Sequence, residues 1–363
     1  MTTPHTPGDA ARLAATMAAR ATRGLSGPMA HARMAEATRL TRAGRLTEAM
    51  SVLQGAGTAF PTMPGAFAAA RAAAPHPLSG RVSRGSVSGP AGTRDHRLVV
   101  PTTRPGGPPL LVMLHGGTQD AESFASATGM DELAEREGFV VVYPEQARSA
   151  NAMGYWNWFE PAHQGRRGEA ALIAAVIAEV AAAHDVDRDR VFVAGFSAGA
   201  AMAAVVGAAY PDLVAGVGVH SGLPAGAARD VGSAFAAMRG GPYRVGATSV
   251  PTIVVHGADD PTVAAVNGTR AVEAALAEHP GCARTVEHGT GARSWTRERW
   301  TDRDGRVRAE HWTVHGSGHA WSGGRAGGSY TDPAGPDAST AMVEFFAEVA
   351  SGPVSTNPCQ STD

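Results

Sequence analysis

The sequence of 363 residues contains no lysine, so all 31 of its basic residues are arginine. Set against 33 acidic residues they leave a formal net charge of −2, which gives no electrostatic reason to expect a nucleic-acid or other polyanionic partner. The missing lysine accompanies abundant alanine and glycine, as a GC-rich coding bias would produce, and carries no function. Cysteine is nearly absent as well. Cys282 and Cys359 stand far apart in different contexts, which excludes a disulfide scaffold and a zinc site built from cysteines. No run approaches the roughly 18 apolar residues of a membrane span. The start of the chain lacks a basic-then-apolar segment ending in a small-residue cleavage site, so the expectation is a cytoplasmic protein, with secretion by another route left open. What is there, 44% hydrophobic and 18% charged residues, is the composition of a globular protein. The length accommodates one large domain and an appendage.

Residues 1–54 form an Arg-, Ala- and Met-rich segment in which Leu46, Ala49, Met50 and Leu53 follow the spacing of an amphipathic helix. A helical hairpin turning at Gly44 is expected there. Residues 55–94, with Pro61, Pro64, Pro75, Pro77 and Pro90 scattered among Gly, Ala and Ser, are predicted to be a linker. A catalytic domain is predicted over 95–352 and a flexible tail over 353–363. Within the domain short apolar runs alternate with Ala-rich helical stretches, which predicts an α/β fold: a mainly parallel sheet with helices on both faces. The expected strands are 97–100, 110–114, 139–143, 190–194, 214–219, 252–255 and 311–314. The expected helices are 130–137, 169–184, 198–209, 263–278 and 337–350.

The chemistry centres on Gly195-Phe196-Ser197-Ala198-Gly199, which follows the apolar run Val191-Phe192-Val193-Ala194 and precedes the small-residue helix Ala200-Ala201-Met202-Ala203-Ala204. A nucleophile elbow requires this layout, because the strand-to-helix turn leaves no room for bulky neighbours and lifts the serine hydroxyl above the sheet. A serine hydroxyl needs a histidine to take its proton, and the histidine needs a carboxylate to fix its tautomer. In α/β-hydrolases these follow in the order serine, acid, histidine. The acid is sought after the strand Thr252-Ile253-Val254-Val255, where Asp259 and Asp260 compete. The base is sought after the last strand, where His319 sits among glycines in Gly316-Ser317-Gly318-His319-Ala320-Trp321, whereas His315 still belongs to the strand's alternation. Two N–H donors should meet the oxyanion. One is that of Ala198; the other comes from the loop His115-Gly116-Gly117-Thr118-Gln119, with Gly117 first and Thr118 as fallback.

Together Leu114-His115-Gly116-Gly117-Thr118-Gln119-Asp120, Trp156-Asn157-Trp158-Phe159, the serine pentapeptide, His256-Gly257-Ala258-Asp259-Asp260-Pro261-Thr262-Val263 with Asn267-Gly268, and Gly318-His319-Ala320-Trp321-Ser322-Gly323-Gly324 resemble the polyhydroxybutyrate depolymerase family of esterases, over roughly residues 97–346. The resemblance implies an α/β-hydrolase with the triad Ser197, Asp260 and His319, because the family's acid lies two residues before the Thr-Val pair. That family often carries cysteine where Gly117 stands, a departure that a backbone N–H donor tolerates. It implies neither metal nor organic cofactor, and a small-molecule ester or polyester as partner. Feruloyl or acetyl-xylan ester cleavage is the rival within the enzyme class. A non-catalytic granule-binding protein, attached through its N-terminal helices, is the rival from another class. Trp156, Trp158, Phe159 and Trp321 are the expected substrate contacts.

Overall fold

In the computed structural model, which describes residues 81–352, the strand β3 (Leu110–Leu114) is buried along its whole length. Leu110, Val112 and Leu114 join one core cluster, while Leu111 and Met113 join a second on the opposite face. An unbroken apolar run of this kind belongs to a strand covered on both sides. β5 (Val191–Phe196) does the same, with Val191 and Val193 on one side and Phe192, Ala194 and Phe196 on the other.

The ten-stranded sheet runs in the order β1 (Arg81–Gly89), β2 (Gly92–Val100), β4 (Val140–Pro144), β3, β5, β6 (Gly216–His220), β7 (Thr252–Gly257), β10 (Val307–Val314), β9 (Trp295–Thr301), β8 (Ala283–Gly289). From β4 to β10 every pairing is parallel. The β1–β2 hairpin and the β9–β8 pair extend it antiparallel at either edge. Helices α1 (Ala121–Thr128), α2 (Met130–Glu137) and α7 (Ala338–Ser351) supply one core cluster. Helices α3 (Gly168–Ala183), α4 (Ala198–Ala209), α5 (Val231–Met238) and α6 (Val266–Leu276) supply the other. The chain leaves β3 toward β4 on one side and returns to β5 on the other. The loops that follow β3 and β5 therefore part at the carboxyl end of the sheet, where open α/β folds leave a crevice.

Two expectations need correction. Residues 81–94 belong to the β1–β2 hairpin rather than to a linker. Of the nine residues of β1 only Val87 is buried, so its Gly- and Ser-rich face shows no strand alternation in the sequence. The second correction concerns β8 and β9, which, like helices α1 and α5, were not anticipated. β8 is exposed almost throughout and β9 half-buried, both are studded with charges, and Arg297 on β9 pairs with Glu287 on β8 and with Glu310 on β10. The N-terminal helical segment, residues 55–80 of the expected linker and the tail from 353 onward lie outside the described residues.

Candidate active site

The turn from β5 to α4 is made by Ser197, whose backbone adopts φ +54° and ψ −118°. A non-glycine residue in so sparsely populated a region carries strain on the order of 1–3 kcal/mol, and such strain gathers at functional sites. The turn closes against the neighbouring strands: Ser197 N–H donates to the His220 carbonyl (2.9 Å). A side chain at Gly199 would strike the carbonyl oxygens of Leu114 and His115, which is why the second glycine of the pentapeptide is needed.

Ser197 Oγ–H donates to His319 Nε2 (2.8 Å), and His319 Nδ1–H donates to Asp260 Oδ2 (2.7 Å). Asp260 is fixed in turn by the N–H groups of Thr262 and Val263, both 2.8 Å from Oδ1, and His256 Nε2 stands 3.5 Å from Oδ2. Burial acts against a charge on this carboxyl. The neighbouring His256, the hydrogen bond from His319 and that from the Val263 backbone outweigh it and hold the group well below the usual carboxylate range. Asp259, in contrast, is exposed, and its N–H donates to the Ser317 carbonyl (3.0 Å). His315 is exposed too and faces Thr296 Oγ1 (3.0 Å).

The loop that delivers His319 is braced at several points. Ser317 Oγ–H donates to Asp332 (2.7 Å), which also pairs with Arg293 (2.9 Å). Beyond the histidine, Trp321 N–H donates to the Tyr330 carbonyl (2.7 Å), and Ser322 N–H donates to His220 Nε2 (2.9 Å). To accept there, His220 must be neutral. Burial, with His256 and His319 nearby, pushes its imidazole well below the ordinary value. His220 was not among the expected site residues; its one signal in the sequence is its place at the carboxyl end of a buried strand.

The loop after β3 is equally determined. His115 is buried, which lowers its imidazole to about 4. It accepts the Gln146 N–H at Nε2 (3.0 Å) and donates from Nδ1 to the Gly116 carbonyl (2.8 Å). The side chain of Gln119 accepts the Gly116 N–H (2.9 Å). Thr118, with φ +66°, already donates its N–H to the Met153 carbonyl (3.2 Å), which counts against it as an oxyanion donor. The aromatic ring of Tyr155 occupies the space that a side chain at Gly117 would need.

The aromatic residues expected to touch substrate are placed otherwise. Trp156, Trp158 and Trp321 are buried in the two cores. Trp156 donates its indole N–H to the His115 carbonyl (3.0 Å), and Trp321 donates to Ser339 Oγ (3.0 Å) while stacking on His220 at 4.7 Å. Phe159 is half-buried and packs edge-on against Trp158 at 5.7 Å. These rings hold the site's loops from behind, which corrects the expectation for the three tryptophans. Two tyrosines rim the site instead. Tyr330, with φ +54°, is 46% exposed; its ring lies 6.5 Å from that of His319, and its hydroxyl lies 3.4 Å from Thr118 Oγ1. Among the described residues no group of three His, Cys, Asp or Glu side chains could hold a metal ion, and no helix is long and apolar enough to cross a membrane.

The family model described as Esterase PHB depolymerase matches residues 99–293. Poly(3-hydroxyalkanoate) depolymerase C from Paucimonas lemoignei is 34% identical over 236 residues, covering 61% of this chain and 56% of that protein. A probable acetylxylan esterase A from Aspergillus fumigatus is 33% identical over 153 residues, covering 40% of this chain and 41% of that protein. The chain thus spans about half the length, or less, of these curated relatives. Among solved structures, an acetyl xylan esterase from Aspergillus awamori superposes with a TM-score of 0.57 at 20% identity, over 73% of this chain and 99% of that one. At that identity the likeness speaks for the α/β-hydrolase fold.

Proposed function

We propose, from the premise that this chain belongs to the Esterase PHB depolymerase family, that it is a serine carboxylester hydrolase acting through an acyl-enzyme. The observation that carries this reading is the continuous series Ser197 Oγ, His319 Nε2, His319 Nδ1, Asp260 Oδ2, with steps of 2.8 and 2.7 Å. Ser197 Oγ attacks the ester carbonyl as its proton passes to His319 Nε2. The negative oxygen that forms is met by the N–H groups of Gly117 and Ala198, the latter in the first turn of α4, whose dipole adds to the attraction. Collapse expels the alcohol, which takes the proton from His319. A water molecule, deprotonated by the same nitrogen, then attacks the acyl group and frees the acid and the serine.

The substrate class we propose is a short-chain hydroxyalkanoate ester or polyester, supported by the 34% identity to the Paucimonas depolymerase. The half-buried Tyr155 against Gly117 and the exposed Tyr330 near His319 offer aromatic surface and hydroxyl groups, suited to a chain that alternates methylene and ester groups. The acetylxylan esterase relatives favour a second reading, deacetylation of a polysaccharide. Release of 3-hydroxybutyrate from a polymer film, measured beside release of acetate from acetylated xylan, separates them. The first reading expects faster release of 3-hydroxybutyrate; predominant release of acetate overturns it.

A further inference from the structure

The Asn267-Gly268 pair touches none of the three side chains of the triad. Beside it lie two buried ring nitrogens without a protein hydrogen-bond partner, Nδ1 of His256 and Nε2 of His311. The two histidines are 1% and 5% exposed. They stand on adjacent parallel strands, β7 and β10, where His256 is in register with Thr313 and His311 with Val254. A Cβ on Gly268, in α6, would stand 3.0 Å from each of the two nitrogens. Both nitrogens therefore border one point, and the glycine keeps that point open.

What faces the other nitrogen of His256 decides where its proton sits. Nε2 lies 2.9 Å from the Val263 carbonyl oxygen and 3.5 Å from Asp260 Oδ2. Both are acceptors, so Nε2 carries the hydrogen and Nδ1 is a buried lone pair that needs a donor. His311 is neutral at ordinary pH, since burial and the nearby His256 lower it to about 4. It has one N–H to place. On Nδ1 that hydrogen would face Glu298 Oε2 at 3.7 Å, beyond hydrogen-bond distance, and would leave two lone pairs bordering the same buried point. On Nε2 it serves His256. An unsatisfied buried acceptor costs more than a long contact forgone, so the second arrangement prevails.

We propose that His256 is a positioning residue for Asp260, held in its Nε2–H tautomer by donation from His311 Nε2–H through one bridging water, at a point that Gly268 keeps open. The series of polar groups then runs from β10 through His311, His256 and Asp260 to His319 and Ser197. Asp260 has Oδ1 fixed by two backbone N–H groups and Oδ2 hydrogen-bonded to His319, with the His256 Nε2–H edge 3.5 Å behind it, an arrangement that holds the carboxylate toward His319. This deepens the serine-hydrolase reading and rests on it.

The test pairs kinetics with a measurement that needs no turnover. On p-nitrophenyl butyrate, His256→Leu should lower kcat about tenfold or more with KM within about twofold, the signature of an interaction that matters in the transition state. His256→Gln, whose side-chain amide keeps a donor near Asp260, should recover most of that loss. His311→Leu should lower kcat by about threefold and His311→Gln should restore it, while in an Asp260→Asn background His256→Leu should add less than about twofold. Long-range proton–nitrogen correlation spectra of the protein labelled with 15N-histidine, assigned through the two Gln variants, should show the Nε2–H tautomer at both positions. An Nδ1–H tautomer at His256 overturns the proposal, whether or not the protein hydrolyses esters and whether or not the Leu variants fold. Wild-type kcat in His256→Leu, with Ser197→Ala inactive, overturns this inference alone. An inactive wild type with both histidines in the Nε2–H form overturns the proposed function instead.

Discussion

Ser197 Oγ and His319 Nε2 meet at 2.8 Å although 122 residues separate them in the sequence. Neither side chain is reactive alone, because a serine hydroxyl keeps its proton and an imidazole in a loop has nothing to deprotonate. Ser197→Ala or His319→Ala should each lower kcat for p-nitrophenyl butyrate by a factor on the order of 10⁴–10⁶, and the double variant should be hardly worse, since groups that act as a unit are not additive. Independent, multiplying losses in the double variant would argue against the pair.

The two neighbouring aspartates should behave very differently. Asp260 is buried against His319, whereas Asp259 is exposed. Asp260→Asn should cost on the order of 10⁴ in kcat by disturbing the histidine's tautomer. Asp259→Asn should stay within about twofold, as surface changes away from a site usually do. The ranking is read from steady-state kinetics of the two purified variants.

Gly117 and Tyr155 should be coupled. A side chain at position 117 needs the space that the Tyr155 ring fills, so Gly117→Ala must displace either the ring or the loop in which we propose the oxyanion donor. Activity should fall by about tenfold or more, as expected when one such donor is misplaced. Tyr155→Ala in the same chain should restore part of it, and a double-mutant cycle on kcat/KM should show a coupling of at least about 0.5 kcal/mol. Strict additivity would show that the ring is not what excludes the side chain.

Stability should fall as the solution is acidified from neutrality. Burial holds His115 and His311 at about 4 and keeps His220 well below its ordinary value of 6.5. Below pH 6.5 the unfolded chain binds protons that these folded imidazoles refuse, so each contributes a loss of up to about 1.4 kcal/mol per pH unit until its folded value is reached. The depressed carboxyl of Asp260 acts with the same sign in a lower window, its stabilisation being lost as pH drops below 3.8. Urea midpoints measured at about pH 7.5 and about pH 5 should differ clearly, and by less in His311→Gln. Equal midpoints would mean that these histidines are not buried in neutral form.

How much of this was legible in the sequence depended on the range of the signal. The elbow could be found because its determinants are contiguous: an apolar strand, five residues of which four are small, and a helix of alanines. The parallel strands could be found for the same reason, since full burial writes itself as an uninterrupted apolar run such as 110–114. β1 escaped because only Val87 faces inward. β8 and β9 escaped because their charges are satisfied by one another across the strands rather than by alternation along them. The tryptophans were misplaced because a sequence shows that a ring sits near a site, not which of its faces meets the core. Trp321 lies two residues from His319, yet it packs behind it on His220 and Phe124. His256 stood in a motif without a role of its own and His311 among the other polar residues of its strand, and their relation exists only through Gly268 on a third element.

On the proposed mechanism one hydroxyl, that of Ser197, carries the acyl group. This is tested most directly by inactivating the protein with a p-nitrophenyl alkylphosphonate, counting the nitrophenol released and mapping the adduct by peptide mass. One equivalent released per chain, an adduct confined to the peptide that holds Ser197, and activity falling in step are the predicted results. An adduct on another residue, or full ester hydrolysis after Ser197 has been blocked, would rule out Ser197 as the nucleophile.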